Sequence, residues 1–298
     1  MKRVSITILF SFLVFFLSAQ QICSSIVMPQ LSEATRKDFE NKLAISKADH
    51  EKDNANADAI IWYGRRTASM GKYEEAIEIF TKGIALHPDN ARMYRHRGHR
   101  YITVRCFDKA IQDFKKAAQL IKGKPDEIEP DGLPNAKNIP TSTLQSNIWY
   151  HLGLAYFLKG EYKKARKAYA ECLKVSKNPD MYVATANWMY ITLRKLNRNK
   201  EAEDLLKTIN ANTELLESGD YLRILLLYKQ PKDLKDPEKE IENSTTLSSA
   251  TYGFGLGYHL LLKGKKEEAK KIFQKVLNGN QWSSFGFIAA EAELSRLN

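Results

Sequence analysis

WYHLGLAYFLKGEYKKARKAYAECLKV, Trp149 to Val175, decides the fold of this chain. Two stretches rich in apolar side chains flank a break around Lys159 to Glu161. Small residues, Gly153 and Ala165, alternate with the large Trp149, Leu152, Tyr156, Tyr162 and Tyr169. Gly160 at the break relieves crowding in a tight turn, and Tyr162 just after it is placed to pack beneath the next helix. The stretch therefore reads as two helices joined by a short turn.

The same arrangement recurs upstream. Ile60 to Pro88 reads IIWYGRRTASMGKYEEAIEIFTKGIALHP, and Met93 to Ile121 reads MYRHRGHRYITVRCFDKAIQDFKKAAQLI. Gly64 and Gly98, Ala76 and Ala110, and Phe80 and Phe114 each recur at the same period of 34 residues. In period and residue pattern these three units resemble the tetratricopeptide-repeat (TPR) family. The resemblance implies an all-α fold, a right-handed TPR superhelix (an α-solenoid) of antiparallel helix pairs.

Working outward, the pattern decays and then returns. The stretch from Ala184 keeps Ala202 and Leu206 in register but has Tyr190 where the family usually has glycine, so it reads as a divergent fourth repeat. Residues 250–277 recover the pattern through Leu256, Gly257, Gly264, Ala269 and Phe273. Between them, Glu214 to Tyr228 has helical spacing, and the polar run KQPKDLKDPEKEIENS follows. A last helix over roughly Ser283 to Leu297 puts Phe287, Ala290 and Leu294 on one face and caps the apolar end of the stack. Residues 123–143 carry four prolines, Pro125, Pro130, Pro134 and Pro140, which break regular helix. They also carry the acids Asp126, Glu127, Glu129 and Asp131. The segment reads as a solvated loop; folding over the array as a lid or internal ligand is the alternative. The expected organisation is a signal peptide at 1–20, a leader or helix at 21–56, repeats 1 and 2 at 57–122, the proline-rich acidic insertion at 123–143, and repeat 3, divergent repeats and the capping helix at 144–298.

The N-terminus MKRVSITILFSFLVFFLSAQ has the order of a secretory signal: Lys2 and Arg3, an apolar run from Val4 to Leu17, then Ser18, Ala19 and Gln20. A retained anchor is the alternative, but the run is shorter than the roughly 20 residues a span needs. Export is therefore expected, to a periplasm, a cell envelope or the medium. The formal charge of +11 loses two units with Lys2 and Arg3 and stays clearly basic, which favours anionic partners without naming one. Cys23, Cys106 and Cys172 show neither a CxxC nor a metal-ligand spacing. Cys106 and Cys172 read as apolar fillers in helices, with a bond between them as the alternative in an exported protein.

For a superhelix of this family, the first helix of each pair lines the concave surface. That places Arg65, Arg92, Arg95, His96, His99, Asn147, Tyr150 and His151 toward the groove, with Phe157 nearby as apolar contact area. From Asn90 to Phe107 there are five arginines and no acidic residue. Guanidinium forks in that pattern suit an acidic protein or peptide segment, although an ordinary solvated charge run would look the same. Some TPR proteins hold a partner's terminal carboxylate on successive first helices. Here Asn147 matches that pattern, whereas Ile61 and His96 replace its polar residues and the insertion interrupts it, so that ligand is not carried over.

The expected function is a non-enzymatic protein-binding scaffold or adaptor. No Gly-rich phosphate loop, HExxH helix or GxSxG elbow is present, so no catalytic residue and no cofactor is expected. GFGLG at 253–257 lies in a repeat helix without the strand a dinucleotide site requires. Glu74, Glu75, Glu267 and Glu268 fit exposed faces of second helices, and His96, His99 and His151 lack the carboxylate or cysteine that would complete a metal site. The alternatives are a polyanion-binding solenoid, nucleic acid not being the expected partner, and an exported enzyme of unrecognised type. Composition says nothing of self-association.

Overall fold

The computed structural model describes residues 23–130, 135–241 and 247–297; the signal-like segment 1–20 lies outside them. Among the described residues the chain is all helical. The order is α1 (Glu33–Lys52), α2 (Ala57–Ser69), α3 (Tyr73–Leu86), α4 (Ala91–Thr103), α5 (Phe107–Leu120), α6 (Leu144–Leu158), α7 (Tyr162–Val175), α8 (Pro179–Lys195), α9 (Asn199–Lys207), α10 (Gly219–Lys229), α11 (Leu247–Leu262), α12 (Lys266–Leu277) and α13 (Phe285–Leu297). The helices α2–α3, α4–α5, α6–α7, α8–α9 and α11–α12 pack as pairs, and neighbouring pairs stack in chain order.

Local chemistry sets the boundaries. The first helices of three pairs start on an asparagine, Asn56, Asn90 or Asn178, whose side chain accepts a backbone N–H of the first turn. Thr143 and Ser146 form a reciprocal capping box on α6. Inside each pair the turn needs one residue at positive φ: Gly71, Gly160 and Gly264 supply it in three pairs, Arg105 and Asn197 in the other two.

The packing signature is a glycine under an aromatic ring. A Cβ on Gly64 would lie 2.6 Å from Phe80, on Gly98 3.0 Å from Phe114, and on Gly153 2.5 Å from Tyr169, and Gly257 is covered by Phe273 in the same way. All four pairs are separated by the same number of residues. In the divergent pair the sizes are exchanged, with Tyr190 at the glycine position and Leu206 at the ring position, both buried.

Helix α10 is unpaired and packs on α8, α9 and α11. It begins at Gly219, later than its sequence suggested, because the backbone N–H groups of Leu216, Glu217 and Ser218 donate to the buried Asp180 carboxylate instead of continuing a helix. Helix α13 packs against α11 and α12 and also reaches back to α6. Arg296 donates to the carbonyl of Leu158 at the end of α6, and Lys195 pairs with the fully buried Glu293. Arg105 closes the same gap from the α4–α5 turn: it pairs with Glu291 at 2.9 Å and lies 3.9 Å over the Trp282 ring. The array is thus curled until its C-terminal part meets its middle.

The cysteines correct the sequence reading. Cys106 is neither a helical filler nor joined to Cys172; it lies just before α5 and is bonded to Cys23. The leader is held along the turns, with Ser24 donating to the Val104 carbonyl and Pro29 against Gly71. Cys172 is free and buried, and burial pushes its thiol up to about 11.

Two outcomes are expected. Gly153→Val forces a branched side chain into the Tyr169 ring and should lower the unfolding free energy by at least about 2 kcal/mol, read by denaturant titration. Thiol titration should find no reactive cysteine in the folded chain 23–298, one after unfolding and three after unfolding with reduction.

Candidate functional site: an arginine-lined cavity

The first helices turn one face inward, and a cavity of about 620 Å³ opens there. Arg65 from α2, Arg95, His96, His99 and Arg100 from α4, and Asn147, Tyr150 and His151 from α6 line it. The remaining wall comes from elsewhere: Asp180 at the start of α8, Ser218 before α10, and Gln281, Ser283 and Phe285 ahead of and at the start of α13.

Two expected contributors lie apart. Arg92 pairs with Asp58, the residue one repeat earlier, and borders a separate shallow recess with Trp62 and Glu127. Phe157 is fully buried among Tyr162, Trp188 and Phe254, so it is core and gives the cavity no surface.

The described part of the insertion at 123–143 is mostly exposed, but Glu129 and Thr141 are buried, so it is more than a solvated loop. Glu129 is only 3% exposed and points into the arginine cluster. Its Oε2 lies 3.1 Å from Arg95 Nε and its Oε1 2.9 Å from His96 Nε2, while Asn147 Nδ2 donates to Oε2 at 2.9 Å. The insertion is tied down on both sides: an isolated bridge joins Ile128 to Thr143, Leu144 N donates to the Glu127 carbonyl, and Arg65 donates to the Pro130 carbonyl. The reason is electrostatic. Helix α4 brings arginines to the inward face and no acid, and it attracts the nearest tethered carboxylate.

Protonation follows from these contacts. Burial would raise the Glu129 carboxyl, but Arg95 above all, then His96 and Arg65, hold it well below the usual carboxylate range. Arg95 Nη1 lies 2.9 Å from His96 Nδ1, and a guanidinium can only donate, so the imidazole carries its proton on Nε2, facing Glu129. Burial, and then the Arg95 charge, pull His96 and His151 down to about 3, and His99 is depressed for similar reasons. All three rings are therefore neutral near pH 7. His151 donates Nδ1–H to the Asn147 carbonyl, and His99, His151 and Phe285 cluster with ring centres 4.7–5.4 Å apart. Among the described residues no group of three or more His, Cys, Asp or Glu could hold a metal ion, and no helix is long and apolar enough to cross a membrane.

Sequence reasoning missed Arg100, Asp180 and Phe285. Arg100 was within the counted arginine run, and one turn of helical spacing from His96 would have placed it inward. Asp180 and Phe285 carry no local signal, since their positions depend on how far the superhelix curls.

Acid should weaken this fold. Both histidines take up protons in the unfolded chain below their ordinary 6.5 but not in the folded one until about 3, so stability falls as pH drops through that window. Each contributes about 1.4 kcal/mol of loss per pH unit. The depressed Glu129 carboxyl adds loss in the same direction below its ordinary 4.5. Thermal unfolding from pH 7.5 to 4.5 should show a falling midpoint, and His151→Gln should flatten the fall.

Models of the tetratricopeptide repeat match residues 67–90 and 146–179, the latter covering α6 and α7. Tetratricopeptide repeat protein 13 of Homo sapiens is 31% identical over 105 residues, 35% of this chain. The match spans only 10% of that protein's length. Among solved structures, Pseudomonas aeruginosa pilF is 15% identical with a TM-score of 0.47, covering 87% of this chain and 92% of that one. MamA is 20% identical with a TM-score of 0.45, covering 59% and 88%. The two matched repeats and the stack of antiparallel helix pairs give an all-α repeat architecture consistent with a tetratricopeptide-repeat solenoid.

Proposed function

We propose that this protein is an exported, non-catalytic scaffold whose concave cavity receives an acidic segment of a protein partner. TPR folds generally act as protein-binding scaffolds, and the acidic specificity is what this chain's own residues add. One observation carries it: Glu129 lies among Arg95, His96 and Asn147 and so displays how a carboxylate fits this wall. Charge-assisted bonds from a rigid guanidinium fork orient such a group, and Tyr150 and Phe285 offer apolar area beside it. Export is supported by the Cys23–Cys106 bond, since disulfides persist in oxidising compartments. A polyanion track has less support, because Glu129, Asp180 and Phe285 interrupt the positive face that a continuous phosphate backbone would need.

Charge reversal at Arg95 is a poor probe, because it would bury two acids against each other. The suitable comparison is the wild-type chain 23–298 against Arg65→Gln/Arg100→Gln in a quantitative pull-down from the organism's cell-envelope extract, with Arg92→Gln as a variant outside the cavity. A partner recovered by wild type and Arg92→Gln and lost from the double variant is the expected result. Equal recovery by all three removes the cavity from partner capture.

A further inference from the structure

The cavity contains more positive charge than its own acids neutralise. Arg100 is the clearest case. It faces the cavity from α4, and it makes no hydrogen bond or ion pair among the described residues. Arg65 donates Nη2 to the Pro130 carbonyl at 2.7 Å, but its Nη1 is buried and has no acceptor. The three acids on the wall are already engaged: Glu129 with Arg95 and His96, Asp180 with three backbone N–H groups, and Glu217 with Thr141 and Asn135. The histidines are neutral and supply no compensation. Burial lowers both guanidinium groups to about 10, with Arg95 adding repulsion, so each still holds its charge near neutral pH.

Taking a guanidinium out of water without an acceptor costs several kcal/mol, and two neighbouring ones repel each other as well. A chain would lower that cost by neutralising either position with glutamine, and here both charges are kept around an open volume. We infer that the cavity contains a second anion subsite, formed by Arg100 and the free Nη1 of Arg65, which takes one oxyanion group of the carboxylate or phosphate class. Glu129 fills the first subsite and leaves this one vacant for a ligand. The oxyanion belongs either to a free small acid or to an acidic side chain of a captured partner, and the inference stands whether or not partner capture does.

The test uses the chain 23–298 without any partner. Isothermal titration with succinate and with inorganic phosphate should show one site per chain, and Arg100→Gln should weaken it about tenfold or more. Arg92→Gln, outside the cavity, should bind as wild type does. Thermal unfolding separates a lost ligand contact from a damaged fold. Because Arg100 has no partner to lose, Arg100→Gln should unfold no lower than wild type in anion-free buffer, while succinate or phosphate raises the midpoint of wild type alone. If Arg100→Gln fails to fold, Arg65→Gln is read in its place, and unchanged anion binding by that variant overturns the inference. Unchanged binding in Arg100→Gln, or absence of binding by both anions and by a Glu-rich peptide, also overturns it. When neither small anion binds but a Glu-rich peptide does so in an Arg100-dependent way, the oxyanion comes from a partner; binding of the small anions with an empty pull-down leaves the subsite standing and the partner reading without support.

Discussion

Everything in this molecule depends on how closely two helices approach within a pair. The limit is set by contact of a ring with a bare α-carbon, Tyr169 on Gly153 and its three counterparts. Dispersion forces fall steeply with distance, so a glycine at that point allows a whole helix face to come into contact, and a methyl group would lift it away. Repetition of one short distance keeps each pair alike and lets successive pairs stack with a regular rotation. The curvature of the inner surface follows from that regularity.

Curvature in turn decides the electrostatics. An arginine on a convex surface is solvated and adds little, but the same side chain on the inside of a tight curl loses water and gains neighbours of like sign. Arg65 and Arg100 are in the second situation, as their lowered proton affinities show, and Arg95 beside them has drawn the Glu129 carboxylate inward. The insertion is therefore part of the inner wall although it interrupts the repeats in sequence.

Much of the fold was legible because its signals are local. Glycine, alanine and aromatic residues at a fixed period identify helix pairs without any long-range information, and the α2–α7 repeats and α11–α12 follow from them. The inner-wall residues Arg65, Arg95, His96, His99, Asn147, Tyr150 and His151 were legible for the same reason, since a helical repeat fixes which face turns inward. Three things were not. Arg92 is drawn to Asp58, a partner visible only once adjacent pairs are stacked. Phe157 lies on the inward helix but faces Trp188 and Phe254 in the core. Cys106 meets Cys23 because the leader runs back along the turns, and sequence spacing gives no hint of that path.

The contacts that join α13 to the middle of the array limit how long it can be. Open solenoids can lengthen by duplicating a unit, because each unit touches only its neighbours. Here Arg105 grips Trp282 and Glu291, and Arg296 grips the end of α6, across more than a hundred residues of chain. Adding one helix pair between α7 and α11 would rotate α13 away from both anchors and open the cavity wall that Phe285 provides. The number of helix pairs is thus fixed by the same contacts that close the cavity, so a chain with one pair more could not keep both.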